Sequence, residues 1–346
     1  VNLGPGKPFT SDISMPEDAK ESDLVLKLLD EKGEELIRYQ PEGDWDGWMP
    51  EPYKPPEKPS DIQSNEELFL AGLHLEQYRH TRIDPEPYWE EAIRRDPGDA
   101  RSNLALGKTY LRRGLFSQAE KSFRTAINRL VIFNFNPYDG EAHYQLGLTL
   151  HYEGKLDEAY KMYGKAIWNH AWQSAGYYGM AQIDTRRKNF SRALANLEHS
   201  LKVNVENLKA RNLRTAVLRH SGCVEEAEAF AAETIQMDPL DYGARNERVL
   251  IAAALGKMEE SENRLAEMKS LMRDDVQTYL DIAFDYAFAG LFEEAADMLR
   301  IASVFSSLYP MVAYTLGYCL KQTGKLEEAV EWYGKGASAS PDYCFP

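Results

Sequence analysis

The chain is 346 residues long, which is enough to bury a large core, and its 40 basic and 55 acidic residues give a net charge of −15. It has no run of about 18 apolar residues and no basic-then-apolar stretch at its start, so neither a membrane span nor a signal peptide is expected. Such an acidic chain is also a poor partner for nucleic acid.

The positions of the acidic residues and of the cysteines indicate where the charge lies and in which compartment the protein is expected. Residues 1–67 hold 17 acids and 7 bases, so most of the net charge belongs to the N-terminal segment. Cys223, Cys319 and Cys344 match neither zinc-site nor disulfide spacing, which is typical of small, partly buried thiols in a reducing compartment. We therefore expect a cytoplasmic protein. Because the sequence opens at Val1 rather than at Met, we also expect it to be part of a longer chain.

Residues 1–62 are predicted to form an arm with a β-hairpin and a proline-rich extended stretch. Residues 24–29 and 35–39 flank a turn that contains Gly33, as in a two-stranded hairpin. A lone hairpin is marginal in water, so it should dock on helices, pair with a partner or complete a β-domain. The prolines of residues 41–60 favour an extended chain. Its aromatic residues should pack on the helices or, alternatively, form a ligand-binding shelf; they are Trp45, Trp48 and Tyr53.

Residues 63–346 are predicted to be helical throughout. Ser64 followed by Glu67 has the pattern of a capped helix start. Residues 68–82 and 88–95 are predicted to form a first, degenerate pair of helices, and the second of these ends before Pro97.

A spacing of 34 residues organises the remainder of the chain. Seven marker positions follow one another at this interval, except that the first interval is six residues longer. Glycine suits these positions because a tight turn between two helices requires a positive φ. Small residues lie seven positions before most markers and five after them, which allows two helices to approach closely. The markers are Gly114, Gly154, Lys188, Gly222, Gly256, Gly290 and Gly324.

This lattice resembles the tetratricopeptide repeat (TPR), a helix–turn–helix unit that stacks into a superhelix. The resemblance implies an all-α, right-handed superhelix of seven clear repeats after the degenerate pair. The additional six residues fall in segment 130–138, an aromatic loop of the kind that often serves a function. The repeats are expected to start near Asp99, Asp139, Ser174, Leu208, Tyr242, Val276 and Pro310.

Three segments are similar to the helical part of a group of large bacterial TPR proteins: residues 72–80, 136–141 and 168–172. In that group a β-rich domain similar to sugar-mutarotase sandwiches precedes the repeats, so the hairpin is expected to be the end of such a domain. The group supplies a carbohydrate context and no catalytic assignment. No polar capping helix follows the last repeat, so we expect truncation and self-association through a face that bears Leu326, Val330 and Tyr333.

The histidines near the first helix do not predict a metal site. His74 and His80, with Glu76 between them, are six residues apart, whereas a helical zinc site needs histidines four apart. Packing or capping is therefore favoured for them. The chain also lacks a phosphate-binding loop, a serine-hydrolase motif and a nucleotide fingerprint, so no cofactor and no catalytic residue is predicted.

Two pairs of residues near the long loop each have a functional and a structural interpretation. Asp139 and Glu141 could form a glycosidase-type pair of carboxylates, but Asp139 also lies where a helix needs an N-cap, which is favoured. Trp168 and Trp172 are expected to share a helix face, where they could stack on a sugar ring or, more commonly, pack between repeats.

The resemblance implies that the second, fifth, ninth and twelfth positions of each first helix face the groove. Asn212 and Asn246, one repeat apart, resemble the clamp with which some TPR domains hold a peptide C-terminus; a solvated charged face is the alternative. Cations dominate the set, which favours an anionic ligand. The predicted ligand-binding residues are Arg101, Tyr144, Tyr178, Gln182, Arg186, Lys209, Asn212, Arg219 and Asn246, and Lys108, Glu141 and His151 also belong to the groove.

Arg211 and Arg245 depart from the repeat pattern, because they occupy a position that is normally apolar and packed. Either the helices are rotated in these repeats, or guanidinium groups form a polar seam between helices.

The leading functional hypothesis is a non-enzymatic interaction scaffold that binds a peptide or partner protein, with an acidic one favoured, in the concave groove. The alternative is the helical part of a carbohydrate-binding or glycoside-processing protein, with a glycan site near residues 130–172.

Overall fold

The computed structural model describes residues 8–43, 47, 49, 51, 54–305 and 309–342. The chain divides into two compact units, Val1–Pro56 and Glu57–Pro346. None of the helices in the described part has the length and apolar character that a membrane crossing requires.

The N-terminal unit contains the predicted hairpin. Strand β1 (Leu26–Leu29) pairs antiparallel with β2 (Glu35–Tyr39), so β1 begins two residues later than expected. The carboxylate of Asp30 accepts hydrogen bonds from the backbone N–H groups of Lys32 and Glu34, both at 2.8 Å, and Gly33 has a φ of +84°. These bonds close the turn. The predicted packing of Trp45, Trp48 and Tyr53 falls outside the described residues.

The described residues of the second unit form sixteen α-helices that pair consecutively into eight helical hairpins. They are α1 (Asn65–Gln77), α2 (Glu86–Arg95), α3 (Ala100–Arg112), α4 (Phe116–Leu130), α5 (Glu141–Tyr152), α6 (Leu156–Ala166), α7 (His170–Arg186), α8 (Phe190–Val203), α9 (Leu208–His220), α10 (Val224–Met237), α11 (Tyr242–Ala254), α12 (Met258–Met272), α13 (Val276–Phe288), α14 (Phe292–Ser303), α15 (Pro310–Gln322) and α16 (Leu326–Ala339).

The predicted helix starts agree closely with these bounds, and the last four repeats begin at the predicted residues. The largest difference at a repeat start is in α7, which begins four residues before Ser174 because the carboxamide of Asn169 caps it at the Ala171 N–H. Ser64 and Glu67 form the predicted capping box of α1. The prediction that the first helix reaches residue 82 is wrong, because Arg79 turns the chain with a φ of +47°.

The marker residues have the left-handed backbone that the spacing predicts. All six marker glycines have φ values between +72° and +81°. Lys188, which occupies the remaining marker position, the third in chain order, also has a positive φ of +59°. The repeat turn therefore imposes this conformation even where a side chain makes it unfavourable.

Small residues let the two helices of a hairpin approach, because an aromatic ring from the second helix occupies the space. A Cβ added to Gly107 would lie 2.5 Å from the Phe123 ring, and one added to Gly147 would lie 2.8 Å from the Tyr163 ring. Gly72 of α1 faces the buried Trp89 of α2 in the same way. The degenerate first pair therefore follows the same packing rule as the later repeats.

The later helices return toward the earlier ones across the inner surface. The Phe288 ring of α13 lies 4.0 Å, centroid to centroid, from the His151 ring of α5. The guanidinium of Arg186 in α7 lies over the ring of Phe292 in α14 at 5.3 Å. The inner surface is therefore closed on one side by α13 and α14, in addition to the contacts between neighbouring repeats.

The additional six residues form the predicted loop, which occupies residues 131–140 between α4 and α5. Phe133 and Tyr138 are almost fully exposed in it. On α16, Leu326 and Val330 are exposed, whereas Tyr333 packs against Gly317.

Candidate binding cavity on the inner surface

A cavity of about 1230 Å³ lies on the inner surface of the second unit. Its walls come mainly from the first helices of the hairpins, namely α5, α7, α9, α11, α13 and α15, together with the loop between α10 and α11. Aromatic rings make up much of the lining, including Tyr144, Tyr152, Tyr178, Phe284, Phe288 and Tyr318. The stacking of repeats thus builds a site that no single repeat contains.

The structure brings together six of the nine predicted ligand-binding residues and separates the other three from them. Arg101, Arg219 and Asn246 do not line the cavity. The six that line it are Tyr144, Tyr178, Gln182, Arg186, Lys209 and Asn212, and His151 joins them.

Arg101 belongs to a different surface. Its guanidinium forms an ion pair with Glu66 at 2.6 Å and lies over the Phe69 ring. It borders a second, smaller cavity of about 410 Å³ beside the 131–140 loop, which Phe133 also lines. Lys108, another predicted groove cation, pairs with Glu141 at 3.0 Å.

Arg219 and Asn246 are held in a buried network that joins α9, α11, α13 and α14. Arg219 Nε donates to Glu247 Oε2 at 2.8 Å, and the Tyr286 hydroxyl donates to the same carboxylate at 2.6 Å. Asn246 Nδ2 donates to the Tyr286 hydroxyl at 3.0 Å. Although burial opposes it, hydrogen bonding from His220 and the charge of Arg219 lower the pKa of Glu294 to about 2. The network connects helices and engages Arg219 Nε and Nη2 and Asn246 Nδ2 in hydrogen bonds within the protein.

Arg211 and Arg245 each bond to the second helix of their own hairpin, as the polar seam predicts, since Arg245 pairs with Glu267 of α12 at 2.9 Å. Arg211 is buried between α9 and α10, where it donates to Thr234 Oγ1 at 2.9 Å and pairs with Glu233 at 2.7 Å. Arg245 donates to the Pro239 carbonyl at 2.8 Å. Because Asn212 next to Arg211 still lines the cavity, α9 keeps the phase of the repeat.

The cavity does not carry the excess of positive charge that the sequence predicts. Its cationic side chains are Arg186 and Lys209, and Lys209 Nζ pairs with Asp285 Oδ1 at 2.6 Å. The cavity also has four carboxylates. They come from the α10–α11 loop and from α13, whose acidic residues were not among the groove positions predicted from the repeat. They are Asp238, Asp241, Asp281 and Asp285.

The carboxylates influence one another. Burial raises the pKa of Asp241, and the negative charges of Asp238 and Asp285 raise it further against a hydrogen bond from Asn212. Burial likewise raises the pKa of Asp285, with a contribution from Asp281, while Lys209 opposes the shift. The cluster therefore has a negative potential that its own cations only partly balance.

Two buried polar side chains that line the cavity, His151 and Thr315, lack a hydrogen bond of good geometry within the described residues. His151 is 3% exposed and Thr315 is 4% exposed. Neither ring nitrogen of His151 makes a hydrogen bond of good geometry with the described residues, and Thr315 Oγ1 also has none. An unpartnered buried polar group costs roughly 1–3 kcal/mol, so a partner inside the cavity would stabilise both.

His151 is neutral near pH 7. Burial, together with the positive charge of Arg186, lowers its pKa to about 4, and a backbone hydrogen bond with Phe288 opposes the change. A neutral imidazole has one nitrogen that accepts a hydrogen bond.

The groove positions of the repeat do not account for the acidic residues of α13. Positions five and nine of a helix that starts at Val276 are Leu280 and Phe284. Phe284 lines the cavity as the rule expects, but Asp281 and Asp285 line it as well, since α13 presents a wider face to it. The run of acidic and aromatic residues in 281–288 was the signal that could have identified α13 as a wall.

The residues near the long loop have structural partners. The N-cap of α5 is Gly140, so the prediction that Asp139 is the N-cap is wrong by one residue. Asp139 Oδ1 still accepts from the Glu141 N–H at 2.9 Å and from Trp172 Nε1 at 3.0 Å. Trp172 stacks on Tyr144 at 4.9 Å. The prediction that Trp168 and Trp172 share a helix face is wrong, because Trp168 lies in the turn before α7, where it is exposed.

The remaining candidates for chemistry have similarly local roles. His80 Nδ1 accepts from the Ile83 N–H at 3.0 Å, and His74 contacts the Tyr78 ring. In the part of the chain that the structure describes, no group of three or more His, Cys, Asp or Glu side chains could hold a metal ion. Cys223 is exposed and Cys319 is buried, both as free thiols.

Comparison with known proteins identifies the repeats. Family models of the tetratricopeptide repeat match residues 86–137, 104–167 and 312–343. The solved structure of PilW, a type IV pilus biogenesis factor, matches with a TM-score of 0.51 at 17% identity, covering 60% of this chain and 94% of PilW. The chain therefore contains tetratricopeptide repeats and folds as a TPR solenoid with a two-stranded hairpin near its N-terminus.

Two further solved structures are similar at lower TM-scores. A TPR protein from Parabacteroides merdae has a TM-score of 0.47 and 20% identity, covering 70% of this chain and 93% of its own. The C-terminal part of a TPR repeat-containing protein from Cytophaga hutchinsonii has a TM-score of 0.48 and 12% identity, covering 81% and 95%.

Proposed function

We propose that this protein is an interaction scaffold whose inner cavity binds a peptide segment of a partner protein. TPR solenoids are a protein-interaction fold, since they present an extended concave surface. The observation that carries the proposal is the cavity of about 1230 Å³ that several first helices build together. Its volume exceeds the roughly 300–1,000 Å³ of small-molecule sites and suits several consecutive side chains.

The lining has the chemistry that peptide binding requires. Tyrosine and phenylalanine rings offer flat apolar contact with little loss of side-chain freedom. Asn212 Oδ1 lacks a hydrogen-bond partner among the described residues and can accept one from a peptide N–H. Leu240 and Phe284 are exposed at the cavity, where a ligand would cover them. Covering apolar area of this kind is a main source of affinity.

Selection from a library of random peptides, followed by titration of the enriched sequences, tests the proposal. We expect Leu240→Ala and Phe284→Ala each to weaken binding by about five- to thirtyfold, which corresponds to about 1–2 kcal/mol of lost apolar contact. Leu326→Ala and Leu271→Ala are matched controls, because these side chains are similarly exposed outside the cavity. The proposal would be contradicted if the two control variants weakened binding as much as the two cavity variants. It would also be contradicted if the library gave no enriched peptide.

A further inference from the structure

We infer that the cavity selects a peptide that carries a lysine or arginine side chain, an inference that rests on the proposed function. The sequence alone suggested the opposite preference. The cavity holds a cluster of carboxylates, an aromatic wall and buried groups that lack donors, and these three features point to a cation.

The first feature is negative charge without a counter-ion. Among the described residues, no lysine or arginine forms an ion pair with Asp238, Asp241 or Asp281. Lys209 is paired with Asp285, and the Arg186 guanidinium lies over the Phe292 ring. An anionic peptide would therefore meet net repulsion, and a cationic one would meet three carboxylates that attract it.

The second feature is the aromatic lining beside these acids. Tyr178, Phe284 and Tyr318 line the same cavity as Asp281. A cation in contact with an aromatic face gains from the negative charge of that face, and a neighbouring carboxylate adds a direct ion pair. The aliphatic stem of lysine or arginine can pack on the rings while its charged group reaches the acids.

The third feature is independent of the acids and concerns hydrogen bonds. Thr315 Oγ1 lines the cavity as a buried atom without a hydrogen-bond partner among the described residues, and Asn212 Oδ1 also lacks one. Both oxygens can accept a hydrogen bond, and the amide oxygen of Asn212 can only accept. Guanidinium and ammonium groups carry several donors and no acceptor, so they complement this set, whereas a carboxylate carries acceptors alone.

A matched set of peptides tests the inference. The probe is a fluorescein-labelled nonapeptide with the sequence Gly-Ser-Leu-Lys-Tyr-Lys-Leu-Ser-Gly, and its partners carry glutamine or glutamate in place of both lysines. We expect the lysine peptide to bind at least about tenfold tighter than the glutamate peptide near 50 mM salt. This advantage should shrink near 500 mM salt, because screening weakens exposed charge pairs.

Variants of the protein locate the effect. Asp281→Asn keeps a group that can accept the 2.7 Å hydrogen bond from Gln277 while it removes the charge. This substitution should weaken binding of the lysine peptide about three- to tenfold and leave binding of the glutamine peptide unchanged. Glu262→Gln removes one charge from an exposed site on α12 outside the cavity, so it should not change the binding of either peptide. Thermal unfolding of each variant confirms that it is folded.

The outcomes separate this inference from the proposed function. Equal binding of the three peptides, with each weakened by Leu240→Ala, would overturn the cation preference and keep the peptide site. Tighter binding of the glutamate peptide would do the same. If no peptide of any charge, including those enriched from the library, binds in a Leu240-dependent way, both proposals fail.

Discussion

Lys209 of α9 and Asp285 of α13 form an ion pair of 2.6 Å although 76 residues separate them in the chain. In a TPR solenoid each repeat ordinarily contacts its immediate neighbours. Here one repeat reaches past the next and touches the repeat beyond it. The same return of the chain brings Phe288 onto His151 and Gly290 against Arg186. Because of this return, α13 bounds the inner surface, which is therefore a cavity and not an open groove.

The first prediction concerns this ion pair. Lys209 is 62% exposed, so replacing it should change the free energy of unfolding by less than about 1 kcal/mol. The sequence-based hypothesis, in which Lys209 contacts an anionic ligand, predicts weaker binding for Lys209→Ala. The structure predicts that Lys209→Met frees Asp285 and tightens the lysine peptide about threefold, measured by fluorescence anisotropy. Lys325→Ala, at the start of α16, is the control and should have no effect.

Arg219→Met provides the contrasting case. The Arg219 side chain is 12% exposed and its partner Glu247 is fully buried. Removing the cation leaves a buried charge unpaired, so we expect a loss of about 3–5 kcal/mol in chemical denaturation. The double variant Arg219→Met/Glu247→Gln should recover part of that loss. A stable Arg219→Met protein that no longer binds peptide would instead support the ligand role that the sequence suggested.

His151 should make stability depend on pH. Because its pKa is lowered from 6.5 to about 4, the unfolded chain binds a proton in this range that the folded chain does not. Stability should therefore fall as the pH drops from 6.5 toward 4, by about 2–4 kcal/mol in total. His151→Phe should remove this contribution to the pH dependence without lowering stability at pH 7, as measured by denaturation at both pH values. His199→Phe replaces an exposed histidine and should leave the dependence intact.

The turn conformation predicts opposite effects for two substitutions. Lys188 has a φ of +59°, so Lys188→Gly should raise the free energy of unfolding by up to about 1 kcal/mol. Gly222 has a φ of +80° with open space around an added Cβ, so Gly222→Ala should lower it by about 1–2 kcal/mol through backbone strain alone. Equal stability of the two variants and the native protein would show that these turns tolerate either residue.

The 34-residue spacing was enough to establish the fold, because the forces behind it are local. A positive φ at Gly222 and the space beside Gly107 depend on residues of one hairpin and its turn. The predicted starts of α9, α11, α13 and α15 were correct for the same reason. The capping role of Ser64 is also local and was predictable.

Only the tertiary structure decided which side chains line the cavity and with what net charge. Asn212 and Asn246 have equivalent positions one repeat apart, yet Asn212 lines the cavity and Asn246 is bonded to Tyr286 of α13. Asp281 and Asp285 reach the cavity because α13 returns to the inner surface. That return accumulates from small rotations between successive repeats, so it depends on the packing of many helix pairs together. No local pattern of residues encodes it.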